Sequence, residues 1–410
     1  MKEVLPRVNF GQMRRLRTLL ARFAAVFAVF FGLYSPGNAQ TVKTLDGRRL
    51  SSAAIDSRVQ ELMRANSVQG LTVALIRDGR VVYLRGFGER NAQGDPLTAD
   101  TLMYGASLTK ATFAYMVMQL VDEGRVDLDR PIAEYLPKPL PEYPQYADLA
   151  NDPRWRKLTF RVLLDHTTGF ANFRWLETGG KLRFHRDPGV RYGYSGEGLM
   201  LAQFVLENGL GLNVGEEMQR RVFDRFGMEH TDLVWRDNFD PEVADVFLAN
   251  GQVRPHNHRH NVGAAGSMDT TGRDWSSFLA GVVNGEGLSR HSKAEMIRRQ
   301  ISIDSAAQFP TLDAEVTDAY KSIQLGYGIG WGVFDTPYGH SFFKEGRDDG
   351  TVNYALCVKP RRACILLLSN SDHAEGIYKY LVDDLLGPTG LPWKWDGFVP
   401  YDLPAASPTH

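Results

Sequence analysis

Residues 71–84 read Leu-Thr-Val-Ala-Leu-Ile-Arg-Asp-Gly-Arg-Val-Val-Tyr-Leu, two β-rich runs joined by a short polar link. Asp-Gly between two such runs is typical of a tight β-hairpin. The runs at 71–76 and 81–84 therefore predict two neighbouring antiparallel strands near the start of the chain.

Strand-like sequence returns near the other end of the chain in four further β-rich runs. They lie at 327–334, 340–343, 352–358 and 363–368. Between the two ends, about 110–300, the pattern is mostly helical and is broken by proline-rich loops. A last helix is expected at about 373–386, before Gly387 and Pro388.

Strands at both ends of the chain with helices between them predict an α/β (α+β) fold. One antiparallel sheet would be flanked by helices, with a helical subdomain inserted at about 110–265. We expect a single domain over 40–400 and a C-terminal tail at 401–410. Functional residues are expected where the sheet and the insertion meet.

The first 39 residues differ in composition from the rest. Six basic residues and Glu3 precede a twelve-residue apolar run at 23–34, which is followed by the small residues Gly37 and Ala39. This order is typical of a secretory signal cleaved after Ala39, and it predicts a periplasmic or secreted protein. The run is shorter than the about 20 residues that span a bilayer, so no stable membrane insertion is expected after cleavage. An uncleaved anchor is the alternative.

The charge of the chain argues against nucleic acid as a partner. The whole chain carries −1, and removal of 1–39, with six basic residues and one acidic residue, leaves −6. Binding to phosphates needs a concentrated basic face, and the sequence has none.

The two cysteines, Cys357 and Cys364, lie in the last two β-rich runs, on either side of a turn at Pro360-Arg361. On a hairpin they would lie directly opposite each other. In an oxidising compartment they could form a disulfide. Two buried, unpaired thiols are the preferred interpretation, because cysteine is often simply part of the core.

A helix is predicted over 107–123, and it begins with Ser-Leu-Thr-Lys at 107–110. The spacing of three puts Ser107 and Lys110 on one face of the helix. The helix N-terminus favours a developing alkoxide and disfavours a protonated lysine, and burial would lower the lysine pKa further. Such a lysine can take the serine proton. A serine N-cap followed by a surface lysine is the alternative.

The chain resembles the superfamily of class C β-lactamases and family VIII esterases, which also contains D-alanyl-D-alanine carboxypeptidases and amide hydrolases. The resemblance covers about 55–395 and includes Ser-x-x-Lys at 107–110. The other ordered matches are Gly-Phe-Gly at 86–88 with Asp-Thr-Leu at 100–102, Leu-Leu-Asp-His-Thr-Thr-Gly-Phe at 163–170, Pro188-Gly189 before Tyr194-Ser195, Ala-Ala-Gly-Ser-Met at 264–268 before Asp274, and Tyr-Gly-Ile-Gly-Trp at 327–331.

The resemblance implies a β-lactamase/transpeptidase-like fold and three catalytic roles. Ser107 matches the nucleophile and Lys110 the lysine that shares its proton. Tyr194 matches the tyrosine that acts with Lys110 as general base and then protonates the leaving group. A cationic Lys110 would favour the phenolate by lowering the Tyr194 pKa from about 10. Without the match, Tyr194 would be an ordinary buried aromatic residue.

A third family element, a Lys-Thr-Gly or His-x-Gly triplet on an edge strand, is matched by Lys344-Glu345-Gly346. The backbone N–H groups of Ser107 and Arg347 would form the oxyanion hole. Lys344 would attract a substrate carboxylate. The alternative is a solvated lysine on a strand edge.

Two positions depart from the family pattern. Gly196, followed by Glu197, stands where the lactamases have the asparagine that contacts the amide side chain of penicillins and cephalosporins. Glu345 replaces the middle hydroxyl residue of the triplet, which weakens a contact to a substrate carboxylate. With Lys344, Glu345 and Gly346, Glu197 is a candidate substrate-binding residue. Both departures favour an esterase or amidase over a β-lactamase or peptidase.

Histidines alternate at 256, 258 and 260 in one loop. No cysteine or carboxylate stands at zinc-ligand spacing from them, so no metal is predicted, and the loop is expected at the polar rim of the site. His166 is expected to be a buried, hydrogen-bonded histidine rather than a catalytic base.

The predicted reaction is acyl transfer to water through an acyl-Ser107 intermediate, without a metal or organic cofactor. The substrate would be a small carboxylic ester or amide, or a peptide. One alternative is a β-lactamase or a D-alanyl-D-alanine carboxypeptidase or D-aminopeptidase acting on cell-wall peptides. Another is a non-catalytic binding protein on the same fold.

Overall fold

The computed structural model describes residues 41–239, 242–312 and 314–403. The predicted signal peptide, its cleavage site and residues 404–410 of the predicted tail lie outside this part of the chain. Within it, no helix combines the length and the apolar character needed to cross a membrane.

An eight-stranded antiparallel sheet built from both ends of the chain forms the centre of the fold. Its strands are β1 (Gly70–Arg77), β2 (Arg80–Gly88), β3 (Ile301–Ser302), β4 (Gly326–Tyr327), β5 (Gly332–Thr336), β6 (Gly339–Asp348), β7 (Thr351–Val358) and β8 (Ala363–Ser369). Their order across the sheet is β2-β1-β8-β7-β6-β5-β4-β3. Because β1 pairs with β8, the predicted sheet of distant segments is confirmed.

Two turns of the sheet depend on left-handed backbone. Asp78 and Gly79 have φ of 52° and 76°, as the two central residues of a type I′ hairpin require. Gly330, at φ 78°, separates β4 from β5, so the run at 327–334 is two strands rather than one. A Cβ on Gly330 would lie 2.4 Å from that of Ala114, which also requires glycine here.

Helices cover both faces of the sheet. Among the described residues, the α-helices of four or more residues are α1 (Ser52–Ala65), α2 (Leu108–Asp122), α3 (Phe160–Leu164), α4 (Gly196–Leu210), α5 (Val214–Met218), α6 (Gly272–Asn284), α7 (Arg290–Met296), α8 (Glu375–Leu381) and α9 (Trp393–Asp396). The helical turns after α8 continue to Leu386, as the prediction of a helix at 373–386 requires.

The two faces of the sheet pack into separate cores. Leu71, Val73 and Leu75 of β1 pack with α1 and α8, whereas Ala74 and Ile76 pack with α2 and α6. Strands buried on both faces are apolar at almost every position. This is why the run at 71–76 lacks the alternation of a strand with one wet face.

Three short strand pairs lie outside the main sheet. They join Thr41–Lys43 to Arg49–Ser51, Leu102–Tyr104 to Asp269–Thr271, and Val246–Phe247 to Val253–Arg254. The second pair brings the segment before α2 beside the segment before α6, so the sequences on both sides of the helical region meet at the start of α2.

Helix α2 is the central helix of the fold. Thirteen of its fifteen residues are buried, as expected for a helix that is apolar all round. Its first turn lies against β6, because a Cβ on Gly346 would be 2.6 Å from the oxygen of Gly105 and 3.1 Å from the nitrogen of Leu108. The residue before α2, Ser107, therefore lies where the sheet meets the helical region.

Cys357 and Cys364 lie opposite each other in the β7–β8 pairing, as predicted. The turn between the strands contains Lys359–Arg361 and then Arg362 in the left-handed region at φ 42°. The structure joins the two cysteines in a disulfide rather than leaving them as unpaired thiols.

Candidate active site

Ser107 begins α2 after a residue in an unusual backbone conformation. Ala106 has φ 46°, in the left-handed region that non-glycine residues seldom occupy and that often marks a functional site. The turn is held because Ala106 O accepts hydrogen bonds from Thr109 N at 3.2 Å and Thr109 Oγ1 at 2.6 Å. The half-buried Ser107 side chain makes no capping bond to its helix, so the N-cap alternative does not describe this serine.

Lys110 lies one turn further along α2 and is 1% exposed. Its Nζ lies 2.8 Å from Ser107 Oγ and donates to the carbonyl of Ala265 at 2.5 Å. Burial, assisted by the charge of Lys344 and opposed by Glu345, holds the pKa of Lys110 well below its usual value. Lys110 is therefore not a surface lysine, and its lowered pKa suits it to accept the serine proton.

Tyr194 precedes α4 and is 2% exposed. Lys344 Nζ donates to its hydroxyl at 3.2 Å, and Lys110 Nζ lies 5.1 Å from the centre of its ring. Burial, followed by the charge of Glu345, raises the pKa of Tyr194 well above 10, and hydrogen bonding with Ser107 opposes this only in part.

The prediction that Lys110 lowers the Tyr194 pKa and favours the phenolate is therefore wrong. That expectation treated Lys110 as a full cation, whereas burial holds the pKa of Lys110 well below its usual value. The nearby carboxylate of Glu345 acts in the opposite sense. Tyr194 is a phenol, which suits a proton donor better than a proton acceptor.

His166 packs against Tyr194 and fixes the start of α4. The two ring centres are 4.3 Å apart, and His166 Nδ1 accepts a hydrogen bond from Ser195 N at 3.1 Å. Burial, with the charges of Lys110 and Lys344, lowers the pKa of His166 well below its usual value. As expected, His166 is a buried, hydrogen-bonded histidine, and its contacts give it a positioning role.

The triplet at 344–346 lies in the part of β6 that is paired on one side. β5 pairs with β6 only from Gly339 to Phe343, whereas β7 pairs with it as far as Asp348. The first turn of α2 lies against the other side at Gly346. Strand β6 is thus an edge strand only along this half, and this half faces Ser107.

Arg347, whose N–H is predicted to serve the oxyanion hole, follows in the same half of β6. Its side chain extends away from Ser107: it donates to Asp396 O at 3.1 Å, pairs with Glu375 and lies over the ring of Phe398. The side chain of Arg347 therefore takes no part in the site, and the oxyanion-hole role of its backbone N–H stays a prediction.

Lys344 is fully buried, which excludes a solvated edge lysine. Besides the Tyr194 hydroxyl, its Nζ donates to Glu345 Oε1 at 2.6 Å and to Glu345 O at 3.0 Å. Gln308 Nε2 donates to Glu345 Oε1 at 3.2 Å. The predicted substrate-binding lysine is thus paired with its own neighbour.

Gly196 opens α4 directly against Phe173. A Cβ at this position would lie 2.3 Å from Phe173 Cε1, closer than side chains can approach. The ring of Phe173 therefore occupies the space that an asparagine side chain would need. Phe173 also lies 6.0 Å from Lys110 Nζ and stacks on Trp175 at 4.0 Å.

Glu197, the other candidate substrate contact, is paired with Arg174. Arg174 Nη2 donates to it at 2.7 Å, Nε lies 3.1 Å from both carboxylate oxygens, and the backbone N–H of Arg174 donates at 2.9 Å. The carboxylate is thus neutralised and held by one residue of the loop that carries Phe173.

Three contributors were missed by reasoning from the sequence. Phe173 and Gln308 lie in irregular loops, where no periodicity or motif marks a residue as functional. The third is the backbone carbonyl of Ala265. This residue lies within a matched motif, but a pattern of side chains gives no information about a backbone group. The exposed ring of Phe309, 5.5 Å from that of Tyr194, lies in the same loop as Gln308.

The histidine loop makes contacts of its own with the fold. His256 Nε2 lies 3.0 Å from Asp269 Oδ1 in a buried pair, and His258 stacks on Trp235 at 3.6 Å. In the part of the chain that the structure describes, no three potential His, Cys, Asp or Glu ligands are grouped closely enough to hold a metal ion.

Comparison with known proteins agrees with this arrangement. The family model described as Beta-lactamase matches residues 55–386. Penicillin-binding protein 4 of Amycolatopsis lactamdurans is 24% identical over 354 residues, which cover 80% of this chain and 88% of that protein. Esterase EstB of Burkholderia gladioli is 32% identical over 172 residues, which cover 42% and 40% of the two chains.

The fold is shared with solved structures as well. The octameric penicillin-binding protein homologue from Pyrococcus abyssi has a TM-score of 0.66 and 21% identity, over 83% of this chain and 78% of that chain. The family match spans both the Ser107–Lys110 pair and the strand of Lys344. The chain therefore belongs to the beta-lactamase family and is a serine hydrolase.

Proposed function

We propose that the protein is an exported hydrolase that cleaves a small carboxylic ester or amide through an acyl-Ser107 intermediate. The observation that carries this proposal is the 2.8 Å contact between Ser107 Oγ and Lys110 Nζ. Burial lowers the pKa of this amine, which favours its acceptance of the proton of the attacking hydroxyl.

Acylation then needs only groups that meet at this site. Ser107 Oγ bonds to the substrate carbonyl carbon while its proton passes to Lys110 Nζ. The N–H groups of Ser107 and Arg347 receive the oxyanion. As the C–O or C–N bond breaks, Tyr194 donates its proton to the leaving alcohol or amine and is reprotonated from Lys110.

Deacylation repeats the proton transfers with water as the nucleophile. Water attacks the acyl ester and gives up a proton to the base, and the proton returns to Ser107 Oγ as the carboxylic acid leaves. No step calls for a metal or an organic cofactor.

The surroundings of Gly196 favour simple esters and amides over the cell-wall alternatives. A β-lactamase of the family pattern needs an asparagine where Phe173 fills the space. A non-catalytic binding role is less well supported, because nothing in ligand binding alone requires a buried lysine in contact with a serine hydroxyl.

Export is supported by the signal-like residues 1–39 and by the disulfide between Cys357 and Cys364. Disulfides persist mainly in oxidising compartments such as the periplasm. We expect the mature protein to begin at Gln40, as intact-mass measurement of protein from the periplasm or medium would reveal. Recovery of an uncleaved chain in the cytosol would overturn this part of the proposal.

Intact-mass spectrometry with a fluorophosphonate probe tests the nucleophile. We expect one adduct on the wild type and none on Ser107→Ala. Ser195→Ala is the matched control, because Ser195 is a neighbouring serine whose hydroxyl is fully buried and donates to Ala171 O. This variant should keep the adduct.

Absence of an adduct on the wild type would overturn the acyl-enzyme proposal. A second incubation, with a penicillin, separates the branches of the family. A persistent penicillin adduct on Ser107 would favour a β-lactam-recognising or peptidase activity, whereas turnover of 4-nitrophenyl esters without such an adduct would favour an esterase.

A further inference from the structure

The ammonium group of Lys344 has no hydrogen left for a ligand. A lysine has three N–H donors, and those of Lys344 are directed to Tyr194 OH, Glu345 O and Glu345 Oε1 at 3.2, 3.0 and 2.6 Å. The two side chains of the ion pair are 0% and 4% exposed. A substrate carboxylate would have to displace a carboxylate that the protein itself supplies.

Other cationic groups around the site are engaged too. Lys110 Nζ contacts Ser107 Oγ and the carbonyl of Ala265, and burial holds its pKa well below the usual value. Arg174 is paired with Glu197, and Arg347 is directed to Glu375 and the backbone of Asp396. Among the described residues, the interior of the site thus offers hydrogen-bond donors for a developing oxyanion, but each of these cationic side chains already has partners of its own.

Glu345 is held in place from a second side. Gln308 Nε2 donates to its Oε1 at 3.2 Å, and Gln308 N donates to Trp395 O at 2.8 Å. Glu345 Oε2 is buried without a hydrogen-bond partner. Burying both charges costs desolvation energy that the ion pair only partly recovers. Stabilisation of the fold therefore does not explain why Glu345 is kept beside Lys344.

We propose that Glu345 is a specificity-determining residue that neutralises Lys344 and restricts the enzyme to esters and amides with no carboxylate beside the scissile bond. Neutral carboxylic esters and amides are accepted. C-terminal peptides and β-lactams, which carry a carboxylate on the leaving-group side of the scissile bond, are rejected by the charge of Glu345. The proposal rests on the acyl-Ser107 function stated above and defines its substrate class.

The test compares two esters that share one acyl group and differ only in the charge of the leaving group. Methyl 3-acetoxybenzoate is neutral, whereas 3-acetoxybenzoate carries a carboxylate on the leaving phenol. The measured quantity is the ratio of kcat/KM for the neutral ester to that for the anionic ester, with the rate of Ser107→Ala subtracted as background.

We expect the wild type to prefer the neutral ester, and Glu345→Gln to lower the ratio at least about tenfold, because one like charge at close range is removed. Glu345→Thr is a second variant of smaller volume. Glu295→Gln is the matched control, because Glu295, on α7, is a shielded carboxylate paired with Arg161 and Arg298. It should leave the ratio unchanged.

Preference of the wild type for the anionic ester would overturn the proposal, and this measurement does not depend on the folding of any variant. The same conclusion would follow if the ratio stayed the same in Glu345→Gln and Glu345→Thr. A wild type that neither reacts with the fluorophosphonate at Ser107 nor turns over either ester would instead refute the proposed function itself.

Discussion

The contact between Gly196 and Phe173 allows a quantitative prediction for Gly196→Asn. A Cβ at 196 would lie 2.3 Å from Cε1 and 2.4 Å from Cζ of Phe173. Ordinary carbon–carbon contacts are about 3.5–4.0 Å, so the ring would have to move by about 1 Å or more. Phe173 is stacked on Trp175 with ring centres 4.0 Å apart, and that movement would break the stack.

Overpacking of this kind typically costs about 1–3 kcal/mol. We expect Gly196→Asn to lower the free energy of unfolding by this amount in the wild-type background. In a Phe173→Ala background the space is already empty, so the same substitution should cost less than about 0.5 kcal/mol, the usual scatter for independent sites. The two substitutions should therefore show a coupling energy of about 1–3 kcal/mol.

Urea unfolding of the four proteins in this double-mutant cycle measures the coupling directly. A cost of Gly196→Asn that is equal in both backgrounds would show that Phe173 does not fill the asparagine space. Recognition of β-lactams would then no longer be opposed by the packing around Gly196.

Three other predictions concern the disulfide and two buried ionisable groups. Replacing Cys357 and Cys364 together by alanine should lower the free energy of unfolding by about 2.5 kcal/mol, because the lost cross-link closes a loop of sequence separation 7. The difference from the wild type should vanish in a strong reductant, and a difference that persists there would contradict the entropic explanation. Because burial lowers the Lys110 pKa, the rate of Ser107 acylation should reach its plateau well below pH 10 and fall on acidification. Lys110→Ala should reduce this rate about 10²–10⁴-fold. A rate that keeps rising to pH 10.5 would refute a lysine base with a lowered pKa. Burial raises the pKa of Asp396 to about 7, so its ionisation in the unfolded chain disfavours folding increasingly from about pH 4 to pH 7, and the penalty is complete above that range. Thermal unfolding should therefore show that Asp396→Asn stabilises the fold more at pH 8 than at pH 4. An equal effect at both pH values would disprove a raised pKa.

Features that depend on neighbouring residues were predictable from the sequence. The Asp-Gly turn at 78–79 requires left-handed backbone, which these residue types tolerate, so the first hairpin was predicted correctly. A helical spacing of three is enough to bring Ser107 and Lys110 together once the helix forms. The opposition of Cys357 and Cys364 follows from a short hairpin in the same way.

The tertiary structure decided how the candidate groups are charged and what space surrounds them. Tyr194 and Lys344 are 150 residues apart in sequence, yet they share a hydrogen bond. The upward shift of the Tyr194 pKa depends on burial and on Glu345 of strand β6. The loss of the asparagine was visible as Gly196, but the ring that replaced it belongs to a loop with no sequence signal. Local spacing therefore identified the candidate pair Ser107 and Lys110, whereas long-range packing determined the direction of the pKa shifts and the free space beside the candidate residues, because desolvation and steric exclusion arise only when distant segments come together.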